Sequence, residues 1–348
     1  MIKVLVVDDS AVVRQVLSAE LARAEDIEVV GTATDPYVAR DKIVALRPDV
    51  VTLDVEMPRM DGLTFLAKLM KYYPLPVIVV SSVTPEGTDA ALRALELGAV
   101  EVISKPGPAY TVGDIADQVI RCIRVAVQAR ILSGRQNIGT PPAGRTWPGG
   151  VRTAEEVLAL GASTGGTAAI QSILPALPAE TPATIIVQHM PEHFTERFAS
   201  RLDETCPMVV REARGGETLQ PGVVLVARGN KHLLVTRRGG NFVTRLADGP
   251  YVHHQRPSVE VLFNSIAKHV GLHATGVLLT GMGADGARGL LAMREAGART
   301  IVQDEETSVV FGMPRAALEL GAAEQVLPLG QIPQGILEAF RRPVEVRT

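Results

Sequence analysis

The 348-residue sequence has only two cysteines, Cys122 and Cys206, and a single tryptophan, Trp147. Two cysteines cannot build a disulfide framework, and their scarcity fits a reducing compartment. Aromatic residues make up 4% of the chain, so Val, Leu, Ile and Ala must fill its cores, and an apolar content of 46% is ample for that. No uninterrupted apolar run approaches the roughly 18 residues of a membrane span, so no membrane insertion is expected. The opening stretch Met1–Val7 lacks the basic flank and cleavage pattern of a secretory leader and runs into Asp8, which predicts a cytoplasmic location. Neither charge sign dominates: 35 basic side chains face 38 acidic ones, a net −3. That balance excludes a broad electrostatic grip on nucleic acid or anionic lipid.

What the chain does have is length and punctuation. At about 150 residues per domain, two or three units are expected. Residues 131–150 hold five glycines and three prolines, including Pro141-Pro142 and Gly149-Gly150, a composition that sustains neither a helix nor a central strand. This divides the chain into a first domain over 1–125, a linker over 126–153 and a second domain over 154–345. Trp147 reads as an anchor of the linker against a domain face.

Both domains read as α/β. In the first, short β-branched runs at Ile2–Val7, Ile27–Gly31, Asp49–Leu53, Val77–Val80 and Ala99–Ile103 alternate with helical patterns. Five such units predict a (βα)5 parallel sheet. In the second, runs at Val157–Leu160, Thr184–Val187, Val223–Val226 and Gly276–Leu279 predict a doubly wound, mainly parallel sheet. Between Val223 and Leu246 the spacing shortens around Gly229-Asn230 and Gly239-Gly240, which predicts an antiparallel hairpin within or beside that sheet.

Functional side chains in open α/β sheets gather beyond the carboxyl ends of the strands. In the first domain those ends carry Asp8-Asp9, Asp54, Ser81 and Lys105-Pro106. Three carboxylates in one pocket repel unless a hard divalent cation such as Mg2+ neutralises them. A lysine and a hydroxyl beside that cation suit a transferred phosphoryl group. Acids that merely cap the following helices would explain any one of these residues, but not five at one sheet edge. The pattern, with Met57-Pro58-Arg59-Met60-Asp61-Gly62, closely resembles the receiver domain of two-component response regulators. The resemblance implies Asp54 as phospho-acceptor from a histidine kinase, Asp8, Asp9, Asp54 and the Glu56 carbonyl around Mg2+, and Ser81 and Lys105 on the phosphoryl group. Where many receivers carry a switching aromatic, three residues before the lysine, this chain has Val102.

In the second domain the strand run Val157–Leu160 leads into Gly161-Ala162-Ser163-Thr164-Gly165-Gly166, a G-x-S-x-G turn between strand and helix. Later strand runs end in Gln188-His189-Met190 and in Thr280-Gly281-Met282-Gly283-Ala284-Asp285. Serine, histidine and aspartate thus fall just past strand ends, where an imidazole can take the hydroxyl proton and a carboxylate can orient the imidazole. The order Ser, His, Asp differs from the Ser, Asp/Glu, His order of α/β-hydrolases. Each element alone has a plainer explanation: a phosphate-binding loop at Gly161–Gly166, a structural His189, a helix cap at Asp285. His189 and His193 lack the glutamate of an H-E-x-x-H zinc motif, and His253-His254 read as loop residues, so zinc is not expected.

These three segments, with Gln255-Arg256-Pro257-Ser258-Val259, resemble the catalytic domain of the CheB family of chemotaxis protein-glutamate methylesterases over residues 154 to 342. The resemblance implies Ser163 as nucleophile, His189 as general base and Asp285 as its orienter, with Thr164 beside the nucleophile and the Met282 N–H in the oxyanion hole. It implies a cytoplasmic, phosphorylation-regulated serine hydrolase. That enzyme demethylates glutamates and deamidates glutamines on methyl-accepting chemotaxis receptors, as part of chemotaxis adaptation. Hydrolysis would need no cofactor, and receiver phosphorylation would need Mg2+. The partners would be those receptors and a chemotaxis histidine kinase, with no nucleic acid, and the enzyme would be a monomer. The unphosphorylated receiver is expected to cover the Ser163 cleft. Three other classes compete: a DNA-binding output, for which no helix-turn-helix is evident, a hydrolase of small esters, and an idle binding module.

Overall fold

The structure, a computed structural model, describes residues 1–81, 84–105, 112–129 and 155–341, with the backbone alone at 85–86 and 112–115. The expected linker and Trp147 fall largely or wholly outside the described residues. The chain separates into two compact units, Met1–Arg135 and Gln136–Thr348.

The first unit alternates strand and helix throughout: β1 (Ile2–Val7), α1 (Ala11–Leu21), β2 (Ile27–Ala33), α2 (Pro36–Leu46), β3 (Val50–Asp54), α3 (Gly62–Tyr72), β4 (Val77–Ser81), α4 (Pro85–Glu96), β5 (Glu101–Ser104) and α5 (Val112–Ala126). The strands pair in parallel in the order β2-β1-β3-β4-β5. The central strands β3 and β4 are buried along their whole length, and they and the inner part of β1 are written mainly in Val, Leu and Ile. Val4 and Val6 pack with Leu17 and Leu21 of α1 and Val119 and Ile123 of α5. Each turn from strand to helix has a local cause. Ser10, Asp35, Asp61 and Thr84 are N-caps whose side chains accept first-turn N–H groups, and Pro36 and Pro85 open α2 and α4. The strands end before these caps, which leaves Asp8, Asp54 and Ser81 at the carboxyl edge.

The second unit begins with β6 (Val157–Ala162), α6 (Gly166–Ile173), β7 (Ala183–Gln188), α7 (Glu192–Asp203), β8 (Val209–Glu212) and β9 (Val223–Val226). It continues with β10 (His232–Arg238), β11 (Asn241–Ala247), α8 (Val259–His269), β12 (Ala274–Leu278), α9 (Ala287–Glu295) and β13 (Arg299–Gln303). It closes with α10 (Met313–Glu319), β14 (Gln325–Leu327) and α11 (Ile332–Arg341). Seven strands form a parallel sheet in the order β14-β13-β12-β6-β7-β9-β8. The order reverses on either side of β6, so this sheet is doubly wound, and the crevice beyond β6 is its switch point.

The antiparallel hairpin is present as a sheet of its own rather than as an edge of the main one. Gly239 and Gly240 turn it at φ 57° and 84°, the left-handed conformations that a two-residue hairpin turn needs. Gly229-Asn230 lies instead before β10. The hairpin's inner face carries Leu233 and Val235, both fully buried, against Leu262, Phe263 and Ile266 of α8. Ser265 of α8 accepts the Val235 N–H at 2.9 Å. The hairpin thereby holds down the helix that leads away from the candidate site.

Candidate active site

Three strands of the second unit converge on one crevice. Ala162, the last residue of β6, is register-paired with Gln188, the last residue of β7. Ser163 and His189 therefore emerge side by side, one inter-strand spacing of about 4.8 Å apart. On the opposite flank of β6, Ser163 N–H donates to the Thr280 carbonyl beyond β12 at 3.0 Å. Gly281 follows, so close to the Ser163 turn that a Cβ there would lie 2.7 Å from Ser163 Cβ and 2.3 Å from Met313 Sδ. Only glycine lets the β12 loop approach this near. The loop then carries Met282, whose side chain is exposed, and reaches Asp285.

His189 Nε2 lies 2.7 Å from Asp285 Oδ2, with 5% and 2% of the two side chains exposed. Asp285 also accepts from Ser258 Oγ at 2.7 Å, Val259 N at 2.8 Å and Glu260 N at 3.0 Å. Burial alone would raise its pKa, but His189, Ser258 and the Glu260 N–H outweigh that and hold the carboxyl below its usual 3.8. An ionised Asp285 makes Nε2 the protonated ring nitrogen. The other, Nδ1, is buried and has no hydrogen-bond partner among the described residues. Ser163, itself buried, does not hydrogen-bond to it here. In ligand-free sites such bonds are often long and tighten only in the reacting complex.

Asp285 does cap a helix, but not the one that follows it. Gly286 is the N-cap of α9 and has no capping side chain. The Asp285 carboxylate takes the N–H groups of Val259 and Glu260 in the first turn of α8, and Glu260 in return accepts Gly286 N–H and Gly289 N–H of α9, each at 3.1 Å. His253 is a loop residue that reaches this edge. Its ring, Glu260 and Asp285 offer potential ligand atoms within 4.8 Å of one another, yet both Asp285 oxygens and Glu260 Oε2 are already engaged by the donors above.

Gln188, Ser258 and Glu260 are the site residues that sequence reasoning left without roles. The available signals were a glutamine closing an otherwise apolar strand and a Ser258-x-Glu260 pair opening a helix.

In the first unit, Asp8, Asp9 and Asp54 bring carboxylate oxygens within 4.8 Å of one another. Lys105 Nζ reaches Asp54 Oδ2 at 2.7 Å and Asp8 Oδ2 at 3.1 Å. Burial raises the Asp54 pKa and Asp8 adds to the rise, with Lys105 offsetting only part of it. For Lys105, burial works downward, but the two carboxylates prevail and lift it above 10.5. Glu56 N–H donates to Asp54 Oδ1 at 3.3 Å. Ser81, fully buried, donates its hydroxyl to the Gly87 carbonyl at 3.0 Å. Val102 is a buried β5 residue.

An acidic-edge receiver unit followed by a doubly wound unit with an imidazole–carboxylate pair beside a serine turn defines a class, the receiver-linked hydrolases. Residues 158–336 match the CheB methylesterase family and residues 4–113 match the response regulator receiver domain. The chain belongs to the CheB methylesterase family. It is 50% identical over 337 residues to protein-glutamate methylesterase/protein-glutamine glutaminase 2 of Syntrophus aciditrophicus, covering 97% of this chain and 98% of that one. Identity to the protein-glutamate methylesterase/protein-glutamine glutaminase of Salmonella typhimurium is 48%, with 97% and 96% covered. The crystal structure of the Thermotoga maritima CheB methylesterase catalytic domain matches 53% of this chain and 97% of its own at 38% identity, with a TM-score of 0.52. Among the described residues no helix is long and apolar enough to cross a membrane.

Proposed function

We propose that this chain is a phosphorylation-regulated, cytoplasmic serine hydrolase. It removes methyl esters from glutamates of methyl-accepting chemotaxis receptors and deamidates receptor glutamines, in chemotaxis adaptation. The observation that carries the reading is the 2.7 Å contact between His189 and Asp285 beside the Ser163 turn. Ser163 Oγ attacks the γ-ester carbonyl carbon and passes its proton to His189, whose free Nδ1 is the basic atom. Asp285 holds the ring in that tautomer and stabilises its cation. Backbone N–H groups beside Ser163, including Met282 N–H, face the oxyanion, and Thr164 flanks the nucleophile. Collapse expels methanol, protonated by His189; water then adds to the acyl-enzyme, giving back its proton through His189 and releasing glutamate. For a glutamine substrate the same steps release ammonia.

In the receiver, Asp54 takes a phosphoryl group from a phosphohistidine of a chemotaxis kinase as the N–P bond breaks. Asp8, Asp9, Asp54 and the Glu56 carbonyl would hold Mg2+, which neutralises the converging oxygens when bound. Fit to the cation is supported by the three carboxylates' mutual approach and by Lys105 already bridging two of them. Lys105 and the Ser81 hydroxyl, once turned from Gly87, bind the phosphoryl oxygens. The proposed limits are 1–125 for the receiver, 126–153 for the linker and 154–345 for the hydrolase. They are supported by α5 closing at Ala126 and β6 opening at Val157.

The test is methanol release from methylated receptor by the wild type and by Ser163→Ala. Release should vanish in the variant, and equal release by both would overturn the reading.

A further inference from the structure

The Gln188 side chain is 3% exposed and makes two donor contacts of an unusual kind. Its Nε2 donates to the Ser163 carbonyl at 2.9 Å and to the His189 carbonyl at 3.1 Å. It thus ties the residue proposed as nucleophile to the residue proposed as base, from the tip of β7, the strand that leads directly into His189. The backbone ladder between β6 and β7 ends at His189 N–H to Ala162 O, 3.1 Å. Gln188 adds one further rung beyond it, made by a side chain.

The amide's other end shows what the residue is there for. Gln188 Oε1 is buried and has no hydrogen-bond partner among the described residues. It rests against Gly166, where a Cβ would stand 2.2 Å from it. A buried acceptor without a donor costs stability, so a residue placed only to fill this space would be leucine or methionine. Glutamine is explained by the use of its NH2 group. With Thr280 holding Ser163 N–H from the β12 side, the serine's peptide groups are fixed from both neighbouring strands, and only the side chain stays free to move.

We propose that Gln188 is a positioning residue of the hydrolase, setting the Ser163–His189 separation through its two donors; this rests on the reading of Ser163 and His189 given above. Catalysis is steep in such placement: displacement by about 1 Å costs on the order of 100-fold.

The experiment uses the full-length chain, with methylated receptor as substrate and acetyl phosphate with Mg2+ as activator. Gln188→Met keeps the length and loses both donors. It should lower kcat by about 10- to 100-fold with KM changed less than about twofold, and with thermal unfolding close to wild type. Gln188→Glu adds a readout that loss of packing would not move. A carboxyl facing two carbonyl oxygens donates one bond only while protonated. Its kcat relative to wild type should therefore rise as pH falls, whereas the Met variant's ratio stays flat. Full kcat in Gln188→Met would overturn the proposal, as would a loss explained by a reduced folded fraction, or parallel pH ratios for the two variants. Ser163→Ala, run alongside, separates the failures: if it retains activity, the reading of the site itself has failed.

Discussion

Asp285 and Glu260 cap each other's helices: Asp285 Oδ1 accepts the Glu260 N–H at 3.0 Å, and Glu260 Oε2 accepts Gly286 N–H and Gly289 N–H just beyond Asp285. The carboxylate in contact with His189 is therefore held by a carboxylate exchange between α8 and α9. Glu260→Ala leaves two buried N–H groups unpaired, at a cost of about 1–3 kcal/mol each or less where water enters. Thermal unfolding should show a midpoint several degrees lower, with a fall in kcat as the Asp285 loop loosens. Glu260→Gln retains an acceptor and should recover most of both. A midpoint unchanged in Glu260→Ala would show that the exchange is not stabilising.

Asp285→Asn tests the His189 tautomer. An amide cannot accept from Nε2–H, Ser258 and two backbone N–H groups as a carboxylate does. The expected loss in kcat is about 10³- to 10⁴-fold, with little change in KM. Acid stability supplies a second measurement. The folded-state pKa of Asp285 is below its unfolded value, so its contribution is present above the unfolded pKa and is lost as pH falls through the folded one. In urea titrations from pH 7 to pH 2, the wild type should lose more stability below about pH 4 than Asp285→Asn.

Much of this was legible in the sequence because local and global signals agreed. Strand ends before Ser163 and His189 and at Asp54, and the glycine-rich turn that carries Asp285, could be read from apolar runs interrupted by polar and glycine-rich turns. Three strands escaped. β8 is four residues long with Val209 exposed, β14 has only three residues, and β13 opens on Arg299, so none shows a long apolar run. The site's supporting residues were hidden for a different reason. Gln188, Ser258 and Glu260 act through partners 25 to 29 residues away, a pairing that neither periodicity nor a short motif can encode. Sequence adjacency would have Asp285 cap α9, whereas the fold brings the first turn of α8 to its carboxylate.

Asp54 couples the two units in the proposed function. Acetyl phosphate with Mg2+ should raise methanol release from methylated receptor by the wild type by roughly 5- to 150-fold, the usual span of a regulatory coupling. Asp54→Asn should show no response while keeping its basal rate. Lys105→Met, which removes the cation bridging Asp54 and Asp8, should take up phosphate but respond weakly. Activation of Asp54→Asn to the wild-type level would show that the switch lies elsewhere.

Glu156 offers a prediction at the other end of β6, about 20 Å along the strand from Ser163. Burial, with the Glu155 charge adding to it, pushes this carboxyl up from 4.5 to about 7. His273 Nδ1 stands 3.7 Å away, too long a contact to reverse the effect. Because the folded-state pKa is raised, the associated stability is fully present below the unfolded value near 4.5 and is lost as pH rises through about 7. Glu156→Gln has no such proton to lose. It should match the wild type in thermal midpoint at pH 4.5 and exceed it at pH 8.5. After discounting for partial solvent exposure the gain is about 1 kcal/mol, or ~2–4 °C. Esterase activity at pH 7.5 should not change, since the side chain lies at the amino end of the strand whose carboxyl end carries Ser163, the proposed nucleophile. Equal midpoints at pH 8.5 would mean that the buried carboxylate carries no net penalty in the folded protein.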